Sequence, residues 1–287
     1  MARKNATSTI KATAVTTLLV LAAMFVFVPL YWLVVASTKA DHNLFDSSTF
    51  TPGGAFLHNL RTLFTYGDSI FWHWLVNSVI YATVVAGLGS YISAACGYAF
   101  AKYRFAGRGA MIATVLGALM VPATVLAVPL FILERYLHLV NTYEGLILPL
   151  LVFPFGVYFM SIYVDSTVPD SLLDAGRVDG AGELRIFHRV ALPMLMPGLV
   201  TIFLISFVGT WNNFFLPLVL MSNQDLYPLT VGLSIWDTQL GAVGTSLPLY
   251  PEVIMGSLVS VTPMLILFPV MQRYISRGLV VGALAGE

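Results

Sequence analysis

The chain carries very little charge. Lys, Arg, Asp and Glu make up 10% of its 287 residues, 14 of each sign, against 58% apolar residues. So small a polar complement cannot coat a soluble globule of this size, which excludes a water-soluble fold and makes a bilayer the expected solvent. Cysteine occurs once, at Cys96. That excludes an internal disulfide, and within an apolar run Cys96 reads as a small buried side chain. No Gly-x-x-x-x-Gly-Lys-Ser/Thr run occurs, so the chain cannot cradle nucleotide phosphates in the P-loop manner. The histidines at 42, 58, 73, 138 and 188 lie apart without metal-ligand spacing, and no Ser/His/Asp grouping stands out. No catalytic, cofactor or metal site is therefore expected, and nothing points to nucleic acid.

What the chain does have is long apolar runs. A span needs about 20 mainly apolar residues at 1.5 Å each to cross roughly 30 Å of hydrocarbon. Six windows qualify: 12–36, 75–99, 109–133, 145–164, 198–221 and 251–271. They are unbroken rather than alternating, and backbone in lipid must be satisfied within its own segment or in a closed barrel, so all six read as helices. The first run, preceded by Arg3, Lys4 and Lys11, is too long for a signal-peptide core and ends without an A-x-A pattern, so it reads as a retained span. The expected fold is an all-α polytopic membrane protein, a single domain of six helices.

Orientation follows the cations. With the N-terminus inside, the inner segments hold Arg3, Lys4, Lys11, Lys102, Arg104, Arg108, Arg177, Arg185, Arg189, Arg273 and Arg277, and the outer ones only Lys39, Arg61 and Arg135. This bias predicts both termini in the cytoplasm. The longest outer connection, 37–74, carries turn residues in "DSSTFTPGG".

One inner loop, 165–197, departs from the rest. Residues 174–193, "DAGRVDGAGELRIFHRVALP", hold Asp174, Arg177, Asp179, Glu183, Arg185 and Arg189 between two strongly apolar runs. Thr167 with Asp170 three residues on fits a capping box, with Pro169 in the first turn. A short helix is expected to about 178, with Asp170, Asp174 and Arg177 on one stripe and Leu172, Ala175, Gly176 and Gly180 turned the other way. Gly180 and Gly182 break it, and a second helix runs on to Pro193 and Pro197. A solvated loop that only satisfies the charge bias would not need small residues at 175, 176, 180 and 181, which suit close backbone approach within the loop or to a partner.

The spacing here resembles the EAA loop of the permease subunits of binding-protein-dependent ABC importers: Glu-Ala-Ala, three residues, Gly, nine residues, Ile-x-Leu-Pro. This chain has Asp174, Ala175 and Gly176, then Gly180, then Val190, Ala191, Leu192 and Pro193 in the same register, with Asp for Glu, Gly for the second Ala and Val for Ile. "FVPLYWLVVASTK", "GYAFAKYRFAGRG", "LVNTYEGLILP", "WNNFFLPLVL" and "QRYISRGLVVGALAG", in that order, are similar to the carbohydrate-uptake, maltose-type branch. The resemblance implies that the loop is a coupling helix seated in a cleft of a cytoplasmic ATPase, through Asp174, Ala175, Gly176, Arg177, Asp179, Gly180, Leu192 and Pro193. It also implies a second, related permease, two ATPase subunits that bind ATP and Mg, and an extracytoplasmic solute-binding protein in a bacterial-type inner membrane. Residues 278–286 resemble a tail that adds a second contact with the ATPase, against a frayed end.

Polar side chains within spans usually face a cavity or a neighbouring helix. Trp211, Asn212, Asn213 and Phe214 in the fifth window offer amides beside aromatic rings, which suits a sugar; the alternative is an interhelical hydrogen bond. Adjacent helical residues diverge by 100°, so at most one asparagine is expected to face the passage. Asp237 and Glu252 read as loop charges, and Asn77 as a helix cap. The expected activity is sugar import without enzymatic chemistry in this chain. A polyol or glycerol phosphate as solute, a self-contained channel or secondary carrier, or a scaffolding membrane protein with no route are the alternatives.

Overall fold

The computed structural model describes residues 2–40, 49–240 and 249–284, with side chains from 13 to 269 within those ranges. Among them helices are the only regular structure. In chain order these are α1 (Ala2–Ser37), α2 (Phe56–Thr65), α3 (Ile70–Lys102), α4 (Arg108–Leu119), α5 (Ala123–Tyr136), α6 (Tyr143–Leu151), α7 (Pro154–Thr167), α8 (Asp170–Val178) and α9 (Glu183–Ile186). A π-helical turn at Phe187–Ala191 leads into α10 (Leu192–Met194), α11 (Met196–Trp211) and α12 (Phe215–Leu220), then a 3-10 turn at Gln224–Leu226, α13 (Leu229–Leu240) and α14 (Tyr250–Leu284).

Four stretches are single spans by length and composition: Thr13–Ser37, Ile70–Lys102, Tyr143–Thr167 and Tyr250–Pro269. Two bent pairs bring the number to six if each is one span: α4 with α5, bent by 106°, and 183–194 with α11, bent by 79°. The first corrects the expectation of a straight helix over 109–133. Pro122 caps α5 in extended conformation and has no N–H for the preceding turn, so the helix cannot run through. In the second pair the segment before the bend holds Glu183, Arg185, His188 and Arg189, which suits the membrane surface, so we take α11 as the membrane-crossing part. The window 198–221 is likewise interrupted, since α11 stops at Trp211 and α12 begins only at Phe215. The tail reading for 278–286 falls where side chains are not described, and residues 285–287 lie outside the described residues altogether.

The chain divides into two compact units, residues 1–69 with 235–259, and residues 70–234 with 260–287. In the first, the connection after α1 includes a helix, α2. Asn59 on α2 is buried and donates to the carbonyls of Ser37 (3.0 Å) and Lys39 (2.8 Å), which closes the open end of α1. Glu252, expected as a solvent-facing charge, is buried in the first turn of α14, whereas Asp237 is exposed.

The second unit is built on α3 against α7. Gly89, Ser93 and Gly97 recur every four residues on one face of α3. A Cβ on Gly97 would lie 2.6 Å from the Met160 Cβ, and one on Gly156 would lie 2.6 Å from the Ser93 hydroxyl. Small residues at this interval let helix backbones approach where lipid supplies no hydrophobic drive. Asn77, expected as a cap, instead sits inside α3, buried. Its amide donates to the carbonyls of Asp225 (2.7 Å) and Tyr227 (3.1 Å), and its Oδ1 accepts from the Tyr143 hydroxyl (2.6 Å). The "VNTYEG" segment thus has a structural use. Asn141 accepts from the Asn223 N–H (3.0 Å) and Thr142 caps α6 through the Gly145 N–H.

Candidate functional site: a charged loop and a cavity between broken helices

The loop 165–197 takes its form from its glycines and prolines. Helix α8 begins without a side-chain cap. Pro169 is its N-cap in extended conformation, Thr167 closes α7, and the Thr167 hydroxyl has no hydrogen-bond partner, so the expected capping box does not form. Asp170 is instead drawn to Lys102 at the end of α3, 2.8 Å from its Nζ. At the far end Gly180 has φ +75, the left-handed conformation that only glycine adopts cheaply. The Gly180 N–H returns to the Arg177 carbonyl and the Ala181 N–H to the Gly176 carbonyl, both at 3.0 Å. This is a Schellman closure, and it explains the glycine at the position where the EAA pattern requires one.

The faces of α8 differ partly from the expected stripes. Leu173 is the buried side chain, while Leu172, Ala175 and Val178 are exposed. Gly176 faces the second helix, where an added Cβ would meet the Ile186 Cγ1 at 3.2 Å, so part of the small-residue pattern serves contact within the loop. Arg177 is held between two carboxylates, 2.8 Å from the Asp174 Oδ1 and 2.8 Å from the Glu183 Oε1. Glu183 also accepts from the Tyr103 hydroxyl at 2.6 Å. The Arg177 guanidinium, with Tyr103 beside it, holds the Glu183 carboxyl below the usual carboxylate range, and Lys102 does the same for Asp170. Burial, with the Glu183 hydrogen bond added, raises the Tyr103 phenol above its ordinary value.

The second half of the loop carries the π-helical turn, in which the Leu192 N–H reaches back five residues to the Phe187 carbonyl. Pro193, which has no N–H, follows at once and prevents the ordinary ladder from resuming in register. Its effect is to turn Ile186, Phe187, Ala191 and Leu195 to one side, where they join Leu173 in a continuous core with Ala94 and Tyr98 of α3, Met160, Tyr163 and Val164 of α7 and Ile202 of α11. The loop is therefore bolted to three helices of the bundle by apolar packing and to the end of α3 by two charged contacts. Its outward face is left to Leu172, Ala175, Val178, Asp179 and Leu184, with Val178 88% and Leu184 78% exposed.

The second feature is a cavity of about 610 Å³ within the same unit. Three interruptions converge on it: Ala118, Val121 and Ala123 from the bend between α4 and α5, Leu150, Val152, Phe153 and Pro154 from the break between α6 and α7, and Thr210, Asn213 and Phe215 from the break between α11 and α12. Irregular backbone at membrane depth is tolerated where it lines a cavity, not where it faces lipid. The four residues expected on the route separate here. Asn213 lines the cavity. Asn212 is the C-cap of α11 and folds its amide back onto the Val208 carbonyl at 2.9 Å. Trp211 is buried and donates to the Ser260 carbonyl at 3.2 Å, while Phe214 is outside the lining and Phe215 within it. The helix break, not the 100° rule for a continuous helix, is what divides the two asparagines. Sequence reasoning missed Thr124, Phe153, Ser206 and Thr210, which also line the cavity. Pro122, Pro154 and the helix-capping Asn212 were signals that could have indicated the breaks.

The fold is thus a helical bundle with apolar spans, a charged loop packed onto three of its helices and a cavity between helix breaks. Residues 89–281 match the family of binding-protein-dependent transport system inner membrane components, and the chain belongs to that family. It is 36% identical to the arabinooligosaccharides transport system permease protein AraQ of Halalkalibacterium halodurans, over 90% of this chain and 91% of that protein. It is 31% identical to the diacetylchitobiose uptake system permease protein NgcG of Streptomyces coelicolor, over 96% and 90% respectively. The fold is that of a chain in the crystal structure of a bacterial ABC transporter involved in the import of the acidic polysaccharide alginate. The TM-score is 0.80 at 24% identity, over 92% of this chain and 96% of that one.

Proposed function

We infer that this chain is one of two permease subunits of an ATP-driven, binding-protein-dependent sugar importer, with both termini and the 165–197 loop in the cytoplasm. The loop seats α8 in a cleft of an ATPase subunit, and the exposed Leu172, Ala175, Val178 and Leu184 are the apolar contacts it offers there. ATP and Mg belong to the two ATPase subunits; this chain contributes no nucleotide site. A second, related permease supplies the other wall of the route, and an extracytoplasmic binding protein delivers the sugar. The cavity between the helix breaks is this chain's part of that route, with Asn213 on its wall.

The observation that carries this reading is the continuous core from Leu173 through Phe187 to Ala94, Met160 and Ile202. Interiors are close-packed and transmit displacement, so a push on α8 moves α3, α7 and α11 with it. Closure of the ATPases then biases the spans between inward and outward access through contacts that differ between the two states. The sugar assignment draws on the relatives that carry arabinooligosaccharides and diacetylchitobiose. Its test is disulfide crosslinking from Ala175→Cys, in a chain with Cys96→Ser, to cysteines placed in the ATPase cleft. Crosslinks that lock ATP-driven uptake are expected, and a loop labelled only by membrane-impermeant reagents added outside intact cells would refute the assignment.

A further inference from the structure

The cavity differs from an ordinary membrane void in how its polar groups are left. Ser206 and Thr210 on α11 are more than nine-tenths buried, 7% and 9% exposed, and both line the cavity. Many helical hydroxyls elsewhere are spent on their own helix, as Thr201 is on the Pro197 carbonyl (3.0 Å), Thr114 on Ala110 (3.0 Å) and Ser257 on Val253 (2.7 Å), while the unpartnered hydroxyls of Ser90, Ser93 and Thr167 lie outside this cavity's lining. The Ser206 and Thr210 hydroxyls have no hydrogen-bond partner among the described residues. They stand one helical turn apart on the same face, beside Asn213.

The ends of helices around the cavity add matched donors and acceptors. Helices α4, α6 and α11 finish at it, with their terminal carbonyls, and α5 and α7 start at it, with their first N–H groups. Pro154 has no N–H to return to the Leu150 carbonyl, and Leu150 is in the lining. Helix ends of both polarities thus border the cavity, offering acceptors and donors alike. None of the lining residues is charged. Phe153 and Phe215 are the aromatic residues of the lining.

We propose that this cavity binds an uncharged, polyhydroxylated solute, a neutral glycan, and that Ser206, Thr210 and Asn213 are the residues that select it over an anionic one. A sugar hydroxyl both donates and accepts, which is what mixed helix ends and free hydroxyls offer, while its C–H face lies against an aromatic ring. A carboxylate or phosphate would enter a low-dielectric site with no cation to offset its desolvation. The proposal rests on the reading that the cavity belongs to the sugar route and sharpens it by excluding uronides and glycerol phosphate from this wall.

The test uses the complete transporter in nanodiscs without binding protein, with equilibrium dialysis of radiolabelled arabinotriose and of trigalacturonate, which match in length and differ in charge. Arabinotriose is expected to bind at least about tenfold more tightly. Ser206→Ala and Thr210→Val, which keep shape, should each weaken arabinotriose roughly three- to tenfold, and Thr210→Lys should narrow or invert the preference. Equal binding of the two sugars to the unaltered transporter, or unchanged arabinotriose affinity in both hydroxyl variants, overturns the proposal. Retained ATP-driven uptake and Ala175→Cys crosslinking alongside that result would leave the importer reading standing. Loss of the crosslink would remove that reading and the route assignment together.

Discussion

The charged loop and the broken middles of the spans are both places where helices stop, and they stop in opposite ways. In the loop the far end of α8 is closed by a left-handed glycine and two returning N–H bonds, its charges by partners within reach, and its apolar side by a core shared with three helices. Around the cavity α4, α6 and α11 also return N–H bonds at their ends, but polar groups beside those ends stay open, with hydroxyls at Ser206 and Thr210 unspent and a proline opposite the Leu150 carbonyl. Closed ends make a part that moves as one piece. Open ends make a surface that a passing solute can bond. The first suits transmission of force and the second suits transit, and the same unit holds both.

The comparison breaks most severely if the loop's core is emptied. Leu173→Ala removes a side chain that is 1% exposed and leaves a cavity under α8, at a cost of about 2–5 kcal/mol. The expected outcome is a lower midpoint in thermal unfolding of the detergent-solubilised subunit, together with uptake lost out of proportion to the protein remaining, because α8 no longer carries α3 and α7 with it. An equal loss of stability from an apolar truncation far from the loop should leave uptake per folded molecule unchanged.

Next in size is Gly180→Val. A β-branched residue at φ +75 costs roughly 1–2 kcal/mol in the left-handed conformation, and since a Cβ there meets nothing within 4 Å, the penalty is conformational and not a clash. Gly180→Asn, which tolerates that region better, should recover much of the loss. Crosslinking from Ala175→Cys reports whether α8 still ends in the right place. If Val and Asn behave alike, the Schellman closure is not what the glycine is for.

The EAA spacing made the loop legible in sequence, because glycine and proline act on the backbone locally and their register survives any surroundings. The charged contacts were not legible. Lys102 and Asp170 are 68 residues apart, and only the packing of α3 against α7 brings them together. For the same reason Leu173, not Leu172, proved to be the buried residue: periodicity gives the angle between faces, whereas the neighbours decide which face is covered. The bends in the spans were hidden by composition, since "GALMVPATVLAVPL" is apolar throughout whether it is one helix or two. Ser206 and Thr210 were passed over because a hydroxyl in a membrane helix commonly bonds its own carbonyl, and sequence does not say which ones refrain.

Acid should loosen the loop before it affects the cavity. Asp170 and Glu183 have carboxyls held below their ordinary range by Lys102 and by Arg177. A depressed folded value means that the stabilisation is fully present above the unfolded pKa, near 4, and is lost as pH falls through the folded value. Hydrogen exchange of α8 and α9 is therefore expected to be flat from pH 7 to about pH 5, after correction for intrinsic rates, and to quicken below about pH 4. The Arg177–Glu183 pair is about half exposed, so 1 M salt should produce part of the same change at neutral pH, while the Lys102 side chain, 5% exposed, is shielded from it. The cavity walls, which hold no titratable side chain, should show neither response.

The smallest effect sharpens the comparison most, because it is a predicted absence beside a predicted presence. Asn212 and Asn213 are adjacent and chemically identical, and a substitution at either deletes one amide. Asn212 spends its amide on the Val208 carbonyl at the end of α11, as a closed end does. Asn213 presents to the cavity, and its Oδ1 has only a long contact, 3.4 Å, from the Leu216 N–H. Asn212→Ala should cost about 1 kcal/mol or less in stability, the worth of one such bond, and leave the apparent affinity for transported sugar unchanged. Asn213→Ala should weaken that affinity with little change in the unfolding midpoint. Uptake measured over a range of sugar concentrations separates the two, and an affinity change at Asn212 equal to that at Asn213 would mean that the break between α11 and α12 does not sort the asparagines as its geometry implies.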